Sequence, residues 1–398
     1  MQTLALDVGS HSVRGGLAGQ DQPRTVETSA VGVSGGDIVF PCKFGTRRTK
    51  THVVDMYEAI FDTKKKTTTN PYLDVVLDTI LFPTNGNVSR HSTPVVFSYP
   101  GDRKFDRKFS TKKYVQAMVS SLFEYAEVPA VYARPDAVLA AFACGRTSAV
   151  VADFGATQTT MARISEGAVS EISSWKFGGT EFDALVMKRL AAENGGKFPN
   201  IHDDVEESYL RRSQLHVIQE MKQSFFRVSP LTLSPPPERM RAAKKQGNTI
   251  MYKLPDNTEI DVATVYEYMP ELYFSPRVLE KFHVPDFPGV AQALAPHFQT
   301  TEAESLFGEP LSPERAPTQP LVLCGGVAQM TGFQARVQAE IPQHVPVLCP
   351  AMFGRPYASW TGASVLGSLA ACAGNLAISS KEYLDQGLDR VVDLLISS

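Results

Sequence analysis

The stretch VVADFGATQTT, Val150 to Thr160, is an apolar run that ends on an aspartate, followed two residues later by a glycine and then by small and hydroxyl side chains. LALDVGSHSVR, Leu4 to Arg14, has the same order near the N-terminus. The two aspartates, Asp7 and Asp153, are about 146 positions apart, which points to a duplicated strand–turn unit. Strands and helices interleave between and after them, so the pattern predicts an α/β protein built from two related halves.

An apolar strand in such a fold delivers its last side chain to the carboxyl edge of a sheet, where ligands bind. The glycine that follows allows a sharp turn, and successive backbone N–H groups can converge there into an anion-binding concavity. The hydroxyls of Ser10, Ser12, Thr157, Thr159 and Thr160 would add donors. The two turns together therefore predict a polyphosphate clamp, with Asp7, Gly9, Ser10 and His11 on one side and Asp153, Gly155, Ala156 and Thr157 on the other. Asp7 and Asp153 are the candidate metal residues, holding a hydrated Mg²⁺ through its waters because that ion sheds water reluctantly. A third turn, PLVLCGGVAQM, runs an apolar strand into Gly325, Gly326 and Val327 and suits a nucleoside, since glycines let the backbone approach a flat base. One such turn alone is an ordinary tight turn, so the specificity lies in the repeat. Neither GxxxxGK[ST] nor GxGxxG follows a strand, which argues against Walker and dinucleotide sites.

Outward from the turns, composition sets the class. The chain has 398 residues, 43% hydrophobic and 20% charged, enough apolar material for a sizeable core. A net charge of −3 gives no electrostatic argument for dedicated nucleic-acid binding. Five cysteines are scattered without a CxxC pair, so reduced thiols in an intracellular compartment are expected rather than a disulfide framework or zinc site. MQTLALDVG has no basic leader, and no signal peptide is expected. Between Arg355 and Lys381 the chain carries no charge. Its Gly, Ser and Ala content predicts a buried helix packed closely on a sheet, with a membrane span as the second reading.

Several local expectations follow. Residues 34–70, with KFGTRRTK and DTKKKTTTN, read as an inserted subdomain with solvated loops. Tyr114, Val115, Met118, Val119, Leu122 and Phe123 recur near a 3.6 period and predict a helix with a basic first half from Gly101. A strand and a helix from Pro135 to Ala143 come next, then a hairpin at Glu166-Gly167. Another helix opens at Gly178-Gly179 with Thr180 as its N-cap. One more helix is expected over 209–226 and a hairpin around Asp256-Asn257.

In these blocks and their order the chain resembles the actin family. DVGSHSVRGGLAGQDQPR is similar to that family's first phosphate loop and hairpin, and AVLAAFACGRTSAVVADFG to the segment entering its second loop. FGGTEFDALVMKRL, IQEMKQSF, YKLPDNTEIDV, LCGGVAQMTGFQARVQAEI, ASWTGASVLGSL and SSKEY match further blocks. The resemblance implies an actin-like ATPase-domain fold: two α/β halves around a nucleotide cleft, 1–145 plus 345–398 and 146–344, with inserted subdomains at about 34–75 and 181–275. It implies ATP or ADP with Mg²⁺ as the ligand, with Lys222 on the nucleotide side.

Departures from the family pattern bear on chemistry. Where active members have a second acidic residue and a histidine in the second loop, this chain has Ala156 and Thr160. Where they have a water-positioning glutamine it has Asp136, where they have a basic residue near the adenine it has Pro356, and Gln223 replaces the acid after Lys222. DFGATQTT and SVRGGLAG are most similar to the branch of nuclear actin-related protein 4. That resemblance implies a nuclear, non-catalytic structural subunit of a chromatin-remodelling or histone acetyltransferase complex. Such a subunit pairs with actin on a helical scaffold segment, in a groove near Ala143, Leu369 and Ile378, residues that a place in the core explains equally well. Histones are a candidate contact, direct DNA binding is open, and no membrane partner is expected. The nucleotide site is then either occupied without turnover or empty. The alternative is a divergent cytoskeletal actin that hydrolyses ATP and polymerises.

Overall fold

The structure is a computed structural model that describes residues 2–40, 51–56, 60, 70–82, 88–101, 110–193, 205–230, 249–254, 257–263, 265–276, 286–298, 319–350, 354–369 and 377–397. The chain divides into two compact units: Met1–Arg146 with His202–Gln214 and Pro350–Ser398, and Thr147–Ile201 with Leu215–Cys349. The change of unit falls one residue after the expected 145/146 boundary and five after 344/345. Residues 202–214 belong to the first unit, whereas the expected second half spans 146–344.

The first unit is organised on a six-stranded sheet. Its strands are β1 (Leu4–Val8), β2 (Ser12–Leu17), β3 (Thr25–Thr28), β7 (Val95–Tyr99), β8 (Ala130–Pro135) and β16 (Ile378–Ser379), in the order β16-β8-β7-β1-β2-β3. β1 lies in the middle with every residue buried, which is why LALDV is apolar up to its aspartate. A three-stranded sheet of β4 (Ala30–Ser34), β5 (Asp37–Val39) and β6 (His52–Asp55) forms part of the expected insertion. KFGTRRTK and DTKKKTTTN lie outside the described residues. β6 holds residues 205–214: Ser208 Oγ accepts from Val53 N at 2.8 Å, and Arg212 pairs with Asp55 at 3.1 Å.

Helices cover this sheet. α1 (Pro71–Ile80) is capped by Asn70, whose side chain accepts from the amides of Tyr72 and Leu73. α2 (Thr111–Ser120) starts at Ser110 and buries Tyr114, Val115, Met118 and Val119 as the period predicts, while the basic segment before it lies outside the described residues. α3 (Asp136–Ala143) follows β8 directly.

In the second unit, β9 (Ala149–Phe154), β10 (Thr159–Ser165), β11 (Ala168–Trp175), β14 (Leu321–Cys324) and β15 (Val347–Leu348) form a sheet in the order β11-β10-β9-β14-β15. Two antiparallel pairings on one side and two parallel ones on the other repeat the β3-β2-β1-β7-β8 pattern of the first unit. The duplication read from the two turns is thus a duplication of whole sheets. α4 (Gly179–Glu193), α5 (Glu207–Phe225), α6 (Val290–Phe298) and α7 (Phe333–Glu340) pack this unit, with a small hairpin of β12 (Met251–Lys253) and β13 (Glu259–Asp261). The chain passes from the first unit to the second within α5. An aromatic cluster fills the core: Tyr273 lies 4.8 Å from Phe177, 5.4 Å from Phe182 and 6.0 Å from Phe154. Pairs of this kind each add about 0.5–1.5 kcal/mol beyond the area they bury.

The uncharged segment corrects one expectation and supports another. It is not one long helix: α8 (Ala358–Ser368) ends before Leu369, and the described chain resumes at Ala377. α8 is buried on the first sheet, with Trp360 Nε1 donating to Ala5 O at 3.0 Å. Its Gly362 lies so close to Leu139 O that a Cβ would stand 1.9 Å away. Among the described residues no helix is long and apolar enough to cross a membrane. After β16, α9 (Ser380–Gln386) opens with a capping box of Ser379 and Glu382, and α10 (Leu388–Ser397) buries Val391, Val392 and Leu395. Leu369, expected near a groove, is 53% exposed and so is not a core residue.

Candidate functional site

Each turn is a hairpin closed in the same way. In the first, Gly9 N donates to Ser12 O at 3.1 Å; in the second, Gly155 N donates to Gln158 O at 2.9 Å. In both, the aspartate is followed across the hairpin by a residue in direct register: Asp7 opposite Arg14, Asp153 opposite Thr160. The parallel neighbour differs too. Ser98 on β7 reaches Asp7, whereas Cys324 on β14 pairs with Asp153.

At the first turn the Asp7 carboxylate is fully engaged. Arg14 Nη1 donates to Oδ2 in an ion pair, and Ser98 Oγ donates to Oδ1 at 2.6 Å. Arg14 Nη2 also donates to Ser12 Oγ at 2.7 Å, and its guanidinium carbon lies 5.5 Å from the centre of the Tyr357 ring. Tyr114 OH donates to Val8 O at 3.3 Å, and His11 O accepts from Ser29 N at 2.8 Å, which fixes the strand ends on either side of the turn. Beyond Ser98, burial pushes the Tyr99 phenol up to about 12, with Arg134 opposing and Asp136 adding to the shift. Asp136 uses Oδ1 to accept from Ala137 N at 2.7 Å, at the start of α3.

At the second turn, backbone packing does the work. Gly179 N donates to Gly155 O at 2.9 Å, and Thr180 N to Ala156 O at 2.7 Å. The expected N-cap role of Thr180 is therefore corrected: it lies inside α4, and the helix's first amides are satisfied by carbonyls of the turn. Gly178 must be glycine, because a Cβ would stand 2.4 Å from Ala156 O and 2.6 Å from Gln158 N. Gly325, at φ +92°, would place a Cβ 2.2 Å from Phe154 O and 2.5 Å from Asp153 Oδ1. Tyr273 OH donates to Gly178 O at 3.2 Å from within the aromatic core; burial pushes that phenol well above its ordinary value, with Asp183 and Glu181 adding. Burial likewise raises the Glu181 carboxyl, partly offset by its own amide and that of Gly178.

The second unit thus brings together Asp153, Gly155, Ala156, Thr157, Lys222, Gly325 and Val327 from three separate segments. A Cβ on Gly179 would touch Val327 Cγ2 at 3.2 Å and Lys222 Nζ at 3.3 Å. Lys222 is held by buried Asp183, Nζ to Oδ1 2.6 Å. Around Gly326, among the described residues, no heavy atom lies within 4 Å of a would-be Cβ, so its backbone faces open space. The residues sequence reasoning missed are Arg14, Ser98, Gly178, Asp183 and Tyr273. Arg14 was within reach, since counting outward across the Gly9–Ser12 turn sets it opposite Asp7.

Do these residues fit a magnesium nucleotide? At the second unit the backbone at Gly326 leaves room for a nucleotide, while the Lys222 ammonium is already paired with Asp183. Magnesium does not fit at Asp7. That residue is only 5% exposed, both carboxylate oxygens already accept, and one partner is a cation. A hydrated Mg²⁺ needs a carboxylate oxygen turned toward its waters. Among the described residues no group of three or more His, Cys, Asp or Glu side chains is placed to hold a metal.

Comparison with known proteins gives this geometry a family. The family model described as Actin matches residues 1–394. The chain belongs to the actin family. Its mixed α/β architecture, with duplicated sheets and paired turns, is that of the actin-like ATPase fold. It is 26% identical over 381 residues to cattle "Actin-like protein 9", covering 92% of this chain and 82% of the relative. It is 24% identical over 418 residues to rat "Actin-like protein 7B", covering 97% and 86%. It is 26% identical over 280 residues to Arabidopsis thaliana "Actin-related protein 7", covering 67% and 68%. Similarities at this level carry the actin family as a whole and do not separate its branches.

Proposed function

We propose that this chain is a non-catalytic actin-related protein that serves as a structural subunit of a nuclear chromatin-remodelling or histone acetyltransferase complex, pairing with actin on a helical segment of a larger subunit. The observation that carries the non-catalytic part is the chemistry of the second turn. Hydrolysis of a nucleoside triphosphate needs a group that orients the attacking water in line. Here the turn offers the methyl of Ala156 and the buried hydroxyl of Thr160, which has no hydrogen-bond partner among the described residues. Loss of one such group lowers a rate by about 10²–10⁴. The site is then either empty or holds a nucleotide with little or no turnover.

The nuclear assignment rests on the resemblance of DFGATQTT and SVRGGLAG to the nuclear branch, and is tested by partners. Affinity purification of the full chain from cells, with identification of co-purifying chains, should recover actin together with remodeller or acetyltransferase subunits. Recovery of cytoskeletal factors without any such subunit overturns the reading. Pelleting with Mg-ATP and salt at micromolar protein would favour the polymerising alternative.

A further inference from the structure

We propose that Arg14 stands in for a divalent cation at the first turn, so that the Asp7 cradle takes no metal although it descends from the same unit as the Asp153 turn. The two hairpins have one register, and the residue facing the aspartate is arginine in the first and threonine in the second. The guanidinium is anchored on three sides, by Asp7, by Ser12 Oγ at 2.7 Å and by the Tyr357 ring. It also covers the turn itself: a Cβ on Gly9 would lie 3.4 Å from Arg14 Nη1. Ser98 occupies the remaining carboxylate oxygen. A divalent ion approaching Asp7 would displace one of these donors and meet a fixed positive charge within a few ångströms, where like charges repel strongly in a partly buried site.

The test is a titration of the full-length protein with Mn²⁺, following the loss of free-ion signal by electron paramagnetic resonance. Asp7→Asn should leave the wild-type titration unchanged. Arg14→Gln, which removes the charge, should gain a site bound about tenfold more tightly than any at Asp7 in the wild type, and adding Asp7→Asn to it should abolish the gain. Wild-type Mn²⁺ binding that weakens tenfold on Asp7→Asn would overturn the proposal, as would an Arg14→Gln variant that gains nothing. If Arg14→Gln does not fold, the Asp7→Asn arm decides alone. The titration reads the metal by itself, so either result leaves the subunit reading to be decided by its partners.

Discussion

The two glycine turns share a hairpin register and a closing hydrogen bond, yet they are held by different physics. The first is held by charge: Asp7, Arg14, Ser98 and Ser12 form a hydrogen-bonded cluster at the end of a buried strand. The second is held by close backbone approach, with Gly178 and Gly325 packed so tightly that neither tolerates a Cβ. A duplicated unit keeps its turn geometry through the backbone, while the side chain opposite the aspartate is free to change. That one exchange, arginine against threonine, puts an ion pair on Asp7 and a hydroxyl opposite Asp153.

The comparison can be broken at the first turn. Arg14→Ala removes the partner of a buried carboxylate and should cost about 3–5 kcal/mol, read by urea denaturation. Replacing both partners together, Arg14→Met with Asp7→Leu, should recover most of that loss; no recovery would mean that the loss does not come from leaving the Asp7 carboxylate unpaired. At the second turn the break is steric. Gly178→Ala should cost about 1–3 kcal/mol through overpacking against Ala156, whereas Gly9→Ala, whose Cβ meets nothing closer than 3.1 Å, should cost less. A smaller effect has the opposite sign. Thr160 buries an unpartnered hydroxyl, so Thr160→Val should be neutral or stabilising by up to about 1 kcal/mol.

The second unit also carries a pH effect. His297 has a fully buried side chain, and burial lowers its pKa, with Glu171 opposing and Arg163 adding. Its folded value lies below the unfolded one, so the unfolded chain binds the extra proton as pH falls. The contribution is full above an unfolded value of about 6.5 and is lost as pH falls from there toward the folded value. Stability measured across that window should decline in the wild type and flatten in His297→Leu.

Much of this was legible in the sequence. The paired D-x-G turns, the strand ends at Asp7 and Asp153 and the Gly325 turn all follow from local pattern, because hairpins and strand ends are short-range features. What stayed hidden came from long-range pairing. Ser98 reaches Asp7 only because β7 lies parallel to β1, after a crossover of many residues. Asp183 meets Lys222 only through packing of α4 against α5. Thr180 looked like a cap because its hydroxyl suits one, but the carbonyls of the second turn already satisfied those amides. Asp7 reads as a metal residue from its local pattern until its cross-strand partner Arg14 is counted.

The most direct test of the central claim, that the second turn keeps the shape of a nucleotide clamp without the groups for turnover, is phosphate release by the purified full-length chain in Mg-ATP. The account predicts release indistinguishable from buffer over hours. Sustained release that disappears in Asp153→Asn would contradict it.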